Sequence, residues 1–381
     1  MELDLEYPDY DNNMTIYGLS CGLAKFFDVK RNCMVNPIAF QGNKLVFIFI
    51  DGLGWELFNR LNIEIKGEVN KIKTVFPSTT STVTTTLFTG QTPGEHGVLG
   101  YIMFNKKLGG IINTLRYNYV GEPINDSIKQ YMGFIKAFPV KPWIHETNKK
   151  ILTIIQNSIS NTEFTNTLHR DLNRPDISYL VGYFNSTDMI INLIKSLSSN
   201  QYDGIFVYYD AVDHLGHSYG YNNEFHDFIL YDAKYVLENL INVAYKFRDK
   251  YTFVLFADHG QITVKKTVVW NNDKELLDML EVPPYGDSRA IWFRSRYNIK
   301  KYLEDKYNLL VFDKNEIIDS KLLGKVENEV MNNYMGDYLG ISKDNETKYL
   351  YTYRENDPGL NLKGNHSGLT KEEMYVPLII I

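Results

Sequence analysis

Three short apolar runs end in the same kind of residue, and this constrains the fold more than any other feature of the chain. Leu45–Ile50 runs into Asp51-Gly52, Ile205–Tyr209 into Asp210 and then Asp213, and Phe253–Ala257 into Asp258-His259-Gly260. Short apolar runs without alternation, closed by turn residues, read as strands covered on both faces, as in the parallel sheets of α/β proteins. Polar residues at the carboxyl ends of such strands stand where open α/β sheets bind their ligands. Between the second and third runs, Phe225, Ile229, Val236, Leu240 and Val243 recur at helical spacing within roughly Asn223 to Arg248. A helix between two buried strands is the parallel crossover pattern. Lys71–Phe76 is predicted as a further strand and Leu378–Ile381 as the last one. Pro377 predicts that the last strand is an edge or carries a bulge.

The sheet-forming runs fall in 1–100, 200–275 and 355–381, which are assigned to the core of the fold. The segments 101–199 and 276–354 are rich in Asn, Lys and Tyr and show no repeated strand-to-acid endings, so they are expected to be insertions forming a cap. A net charge of −6 argues against a general nucleic-acid binder, which needs a basic face, although a bound metal would still admit a small anionic substrate. No apolar run approaches the length of a membrane span. Cys21 and Cys33 are the only cysteines, too few for a disulfide framework or a Cys-type zinc site. The acidic, polar stretch Met1 to Asn13 lacks the pattern of a secretory leader, so a cytoplasmic location is expected. Nothing in the pattern specifies an oligomeric state.

Collected together, the polar residues that follow the strands are metal ligands. Asp51, Asp213, His217, Asp258 and His259 are joined by His366, which lies in the turn Gly364-Asn365-His366-Ser367-Gly368 before the last strand. Asp213 and His217 stand four apart, one turn if that segment is helical. Three carboxylates and three imidazoles are a donor mix for two zinc-like ions. Such a pair clamps both oxygens of an in-line phosphoryl displacement. A nucleophile is at hand in Phe76-Pro77-Ser78-Thr79-Thr80, which leads into Ser81–Phe88, predicted as the first turns of a helix. Hydroxyls at a helix N-terminus meet unpaired N–H groups and the positive end of the dipole, and both favour phosphate. Threonine needs activation to attack, and metal coordination supplies it.

Five blocks resemble the type I phosphodiesterase/nucleotide pyrophosphatase family of the alkaline phosphatase superfamily. They are Ile48-Phe49-Ile50-Asp51-Gly52; Phe76-Pro77-Ser78-Thr79-Thr80 with Thr89-Gly90 and Pro93-Gly94-Glu95-His96-Gly97; Asp213-His214-Leu215-Gly216-His217-Ser218-Tyr219-Gly220; Ala257-Asp258-His259-Gly260; and Gly364-Asn365-His366. The resemblance implies an alkaline-phosphatase-like α/β fold, with a mostly parallel central sheet flanked by helices. It implies that Asp51, Asp258 and His259 bind one divalent ion together with the nucleophile, and that Asp213, His217 and His366 bind the other. It implies zinc as the metal, with manganese suited to the same ligands. Counting back from Thr89 as the family does gives Thr80 as the nucleophile, with Thr79 one residue off as the alternative. One departure stands out. The family's phosphate-binding Asn, some twenty residues beyond the nucleophile, falls here at Gly100-Tyr101, where Tyr101 has only its hydroxyl to offer.

The expected activity is metal-dependent hydrolysis of phosphodiester or pyrophosphate bonds, on small phosphate-ester or nucleotide substrates, through a phosphothreonine. Phosphonate hydrolysis and phosphomonoester hydrolysis are rival uses of the same bimetal site. A non-catalytic, metal-stabilised binding protein is the rival from another class. His96 is expected to fix its loop, and Arg289 is left unassigned.

Overall fold

The computed structural model describes residues 5–221 and 225–381. Its centre is a seven-stranded sheet in the order Glu68–Lys73, Tyr375–Ile380, Thr252–Phe256, Leu45–Ile50, Gly204–Tyr209, Ile151–Gln156, Ser178–Tyr183. Leu45–Ile50 pairs in parallel with Gly204–Tyr209 on one side and Thr252–Phe256 on the other. All six of its residues are buried, as the unbroken apolar run predicts. Tyr375–Ile380 alone runs antiparallel to its neighbours. The expected alkaline-phosphatase-like class, a mostly parallel sheet between helices, is therefore what the chain forms.

Helices cover both faces. On one side the Ile16–Phe26 helix packs on Thr80–Thr89, and Phe27, Phe47, Phe88, Trp143 and Phe206 interlock between them and the sheet. On the other, Ser186–Ser199 packs on three strands and on the long crossover helix His226–Phe247. That helix buries Ile229, Val236, Leu240 and Val243 of the periodic set read from the sequence, but Phe225 is its exposed N-cap, and its expected start at Asn223 lies outside the described residues. Among the described residues, no helix is long and apolar enough to cross a membrane.

Three expectations change. Ile151–Gln156 and Ser178–Tyr183 are strands of the central sheet and Ser186–Ser199 covers it, so the second half of 101–199 is not a cap insertion. These strands form one end of the sheet beyond Gly204–Tyr209, and neither ends in an acid-bearing turn that would have flagged it. The last strand is interior rather than an edge. Pro377 is tolerated because Tyr375–Pro377 pairs only with Glu68–Lys73, and pairing with Thr252–Phe256 begins at Leu378. The predicted Lys71–Phe76 strand is shifted to Glu68–Lys73. Cys21 and Cys33 form one disulfide.

The remaining segments form smaller sheets beside the carboxyl ends of the central strands. Ile102–Asn105, Gly110–Asn113 and Asn118–Tyr119 make one, and Tyr285–Asp287, Ala290–Phe293, Tyr338–Ser342 and Leu309–Asp313 make another. The second has its own core around Trp270, Phe293 and Leu309.

Candidate metal and phosphoryl site

The three central strands deliver their terminal acids to one place. Asp51 follows Leu45–Ile50, and the turn it opens is held by Gly52 N–H donating to Asp258 Oδ1 at 3.0 Å. Gly52 has φ +74°, and a Cβ there would lie 2.8 Å from the Asp213 Cα, so only glycine lets the turn approach the next helix this closely. That helix, Ala211–Tyr219, presents Asp213 and His217 one turn apart, as their spacing predicts. His366 enters from its turn, with Nδ1 bonded to the Ser78 carbonyl at 2.9 Å.

Two groups of potential ligands result. Asp51, Asp258 and His259 bring ligand atoms within 4.8 Å of one another, and so do Asp213, His217 and His366. The groups adjoin, since the His259 and His366 rings stack at 3.7 Å. The first is the deeper: Asp258 and His259 are fully buried and Asp51 nearly so, whereas the Asp213 and His217 side chains reach the cleft. Each imidazole is oriented through Nδ1, with His217 bonded to Gly364 O at 2.8 Å and His259 to Gly260 O at 3.1 Å. Every Nε2 faces into the site, where those of His217 and His366 lie 3.2 Å apart and that of His259 lies 3.1 Å from Asp258 Oδ2, the orientation of histidine metal ligands.

The electrostatics fit a cation. Burial first, then the charges of Asp258 and Asp213, push the Asp51 carboxyl well above its usual range. Burial, the largest single effect, opposes charge on His259, but Asp258, Asp213 and the Gly260 carbonyl together raise the imidazole. His366 is driven well below its usual value by burial and then by His259 and His217. Among the described residues no lysine or arginine pairs with Asp51, Asp213 or Asp258, and buried Asp258 Oδ2 has no hydrogen-bond partner. Unpaired buried carboxylates facing imidazole Nε2 atoms suit divalent ions, whose charge would reverse this local balance.

Thr80 is the first residue of the Thr80–Thr89 helix. Its Oγ1 lies 3.3 and 3.4 Å from the two Asp51 oxygens and 3.2 Å from His259 Nε2. Thr79, at the N-cap, points elsewhere: its hydroxyl donates to Asp287 Oδ1 at 3.4 Å. A cleft of about 580 Å³ opens over both threonines and is lined by Asp213, His217, His366, Asp287 and Arg116 among others.

All seven residues singled out from the sequence thus come together. Others in the site were not anticipated. Tyr208 donates its hydroxyl to Asp51 Oδ2, and Gln261 donates its amide to Asp213 Oδ1. Tyr208 occupies the strand that leads to Asp210, and Gln261 directly follows Asp258-His259-Gly260, so both sit inside motifs already recognised. Asp287 had no such signal. Burial lifts its carboxyl to about 7, against the lowering effect of bonds from the Tyr101 N–H and Thr79. The Tyr101 side chain and Asn113 both line the cleft at the departure from the family pattern. His96 is buried, accepting from Val98 N–H at Nδ1 and meeting Thr86 Oγ1 at Nε2, so it does fix its loop. Arg289 is fully buried and bonded to Glu373, which makes it structural rather than substrate-facing.

Comparison with known proteins agrees with this construction. The family model described as type I phosphodiesterase / nucleotide pyrophosphatase matches residues 45–348. Murine ectonucleotide pyrophosphatase / phosphodiesterase 5 shares the fold at a TM-score of 0.64 and 16% identity, over 88% of this chain and 87% of that one. Phosphonoacetate hydrolase from Sinorhizobium meliloti, solved with phosphonoacetate, shares it at 0.58 and 15% identity, over 88% and 89%. No curated protein matches the sequence. With the family model spanning most of the chain and the fold agreeing, this chain belongs to the type I phosphodiesterase/nucleotide pyrophosphatase family and is a hydrolase of that family.

Proposed function

We propose that the chain hydrolyses phosphodiester or pyrophosphate bonds, in substrates of nucleotide type, through a phosphothreonine on Thr80. The observation that carries this reading is the position of Thr80 Oγ1 between Asp51 and His259 at a helix N-terminus, with the second ligand group alongside. Asp51, Asp258 and His259 would hold one divalent ion and Asp213, His217 and His366 the other. When bound, the ions supply charge neutralisation for the Thr80 alkoxide, the phosphoryl oxygens and the departing oxygen. Zinc is the first choice for this donor set and manganese the second. Thr80 attacks phosphorus in line as its hydroxyl proton passes to solvent, and the bond from phosphorus to the ester oxygen breaks, that oxygen taking a proton from solvent. Water then displaces Thr80 from the vacated side, and two inversions give net retention. N–H groups at the start of the Thr80–Thr89 helix favour the anionic phosphoryl group throughout. Side chains from 101–122 and 284–291 line the cleft around the leaving group, which is the role proposed for the cap segments.

Phosphonate hydrolysis is the second reading, because the fold is shared with a phosphonoacetate hydrolase. Turnover of a nitrophenyl nucleotide diester, nitrophenyl phosphate and phosphonoacetate separates the readings. The diester should be preferred, and a preference for either rival by orders of magnitude would overturn the first. Thr80→Ala should abolish turnover while the fold and metal content stay intact, and exhaustive chelation should also abolish it. Activity surviving in Thr80→Ala but lost in Thr79→Ala would move the nucleophile by one residue. We also propose a cytoplasmic location. The Cys21–Cys33 bond, of a kind rare in reducing compartments, weighs against it.

A further inference from the structure

We propose that Asp287 selects the charge of the phosphoryl group that the cleft accepts, disfavouring groups with two negative charges and so favouring diester and pyrophosphate-type phosphorus centres that carry one. The inference rests on the reading of Thr80 as the attacking group and deepens it to a substrate class.

Asp287 ends the Tyr285–Asp287 strand and pairs across a tight hairpin with Ala290. Its Oδ1 accepts from Thr79 Oγ1 at 3.4 Å, and both carboxyl oxygens accept from the Tyr101 N–H at 3.2 Å. The carboxyl is therefore anchored next to the residue preceding Thr80, in the same cleft. Gly100 admits it: at φ +149°, a Cβ on this residue would lie 2.7 Å from Asp287 Oδ2, so any side chain would collide with the carboxyl. The hairpin is tied to the loop of His366, because Arg289 N–H donates to Ser367 Oγ at 3.2 Å and the Arg289 side chain is fixed on Glu373. Among the described residues no lysine or arginine forms an ion pair with Asp287, and the charge acting to lower its carboxyl is that of His259. As an anion Asp287 repels a doubly charged phosphoryl group more than a singly charged one. The discrimination belongs to the anion, because a protonated carboxyl would donate a hydrogen bond to either group. One unit charge a few ångströms away in a partly solvated cleft is worth on the order of tenfold.

The test uses the metal-loaded enzyme, Asp287→Asn and Asp287→Ser, with kcat/KM measured for a nitrophenyl nucleotide diester and for nitrophenyl phosphate at pH 8. The monoester-to-diester ratio should rise about tenfold in both variants, with metal content unchanged. A rise of less than threefold in folded, metal-replete variants overturns the proposal. Competitive inhibition by inorganic phosphate against dimethyl phosphate gives a second readout. Phosphate should gain about tenfold in the variants and dimethyl phosphate should not, and equal changes for the two would also overturn it. A wild-type enzyme that prefers the monoester by orders of magnitude removes the diester reading alone, since the shift on substitution tests Asp287 separately.

Discussion

Replacing Glu373 tests whether the loop carrying His366 is held by a buried ion pair. Glu373 and Arg289 side chains are both fully inaccessible, and Arg289 Nε and Nη2 reach the two carboxylate oxygens at 2.7 and 3.1 Å. The same carboxylate also accepts from Gly368 N–H at 2.8 Å and from the Thr370 hydroxyl at 2.8 Å. Gly368 O in turn receives the Ser78 hydroxyl, and the Ser78 carbonyl meets His366 Nδ1. Glu373→Ala leaves a buried guanidinium uncompensated, which costs about 3 to 5 kcal/mol. Arg289 keeps bonds to the Thr347 carbonyl and the Ser342 hydroxyl, so the lower end of that range applies. Urea unfolding of metal-matched wild type, Glu373→Ala, Arg289→Ala and the double variant gives the cycle. The double variant should lose about 2 kcal/mol less than the sum of the single ones, because the second truncation removes the stranded partner. The metal-to-protein ratio should fall in Glu373→Ala as His366 loses its support. A loss below about 1 kcal/mol for Glu373→Ala, or additivity within about 0.5 kcal/mol, would refute the reasoning.

Metal-free protein should lose stability as pH rises above 6.5. Asp51 is raised from its ordinary 3.8 and His259 from 6.5, so the folded chain holds protons that the unfolded chain has released, and stability falls with pH. His366 acts in the opposite sense, but only below 6.5, where the unfolded chain becomes protonated. Urea midpoints in excess chelator that rise with pH above 6.5 would contradict the assignment. Cys21→Ser opens a bridge between residues 12 apart in sequence and should cost about 3 kcal/mol on loop entropy, read from urea unfolding without reductant. Asp287→Asn should stabilise the chain at pH 8 and lose that advantage towards pH 4, because the carboxyl is held at about 7 folded and 3.8 unfolded. An advantage that is independent of pH would show that Asp287 is not strained by ionisation.

The sequence by itself determined the three acid-ended central strands, the crossover helix and the seven residues that come together in the site. Each depends on local pattern: an apolar run must be buried, an acid after it must sit at the strand end, and a spacing of four on a helix puts Asp213 and His217 on one face. It left Thr80 and Thr79 as alternatives, and the fold chose between them, since Thr80 Oγ1 meets Asp51 and His259 while the Thr79 hydroxyl turns to Asp287. Only the tertiary structure decided what depends on distant partners. The strands Ile151–Gln156 and Ser178–Tyr183 take their place from their neighbours in the sheet. Pro377 is harmless because of where the second neighbouring strand begins. Cys21 meets Cys33, Arg289 meets Glu373, and Asp287 enters the cleft through space left by Gly100. Backbone propensity and periodicity act over a few residues, whereas these contacts join groups tens to hundreds of positions apart. Which of them form is settled only when the whole chain packs.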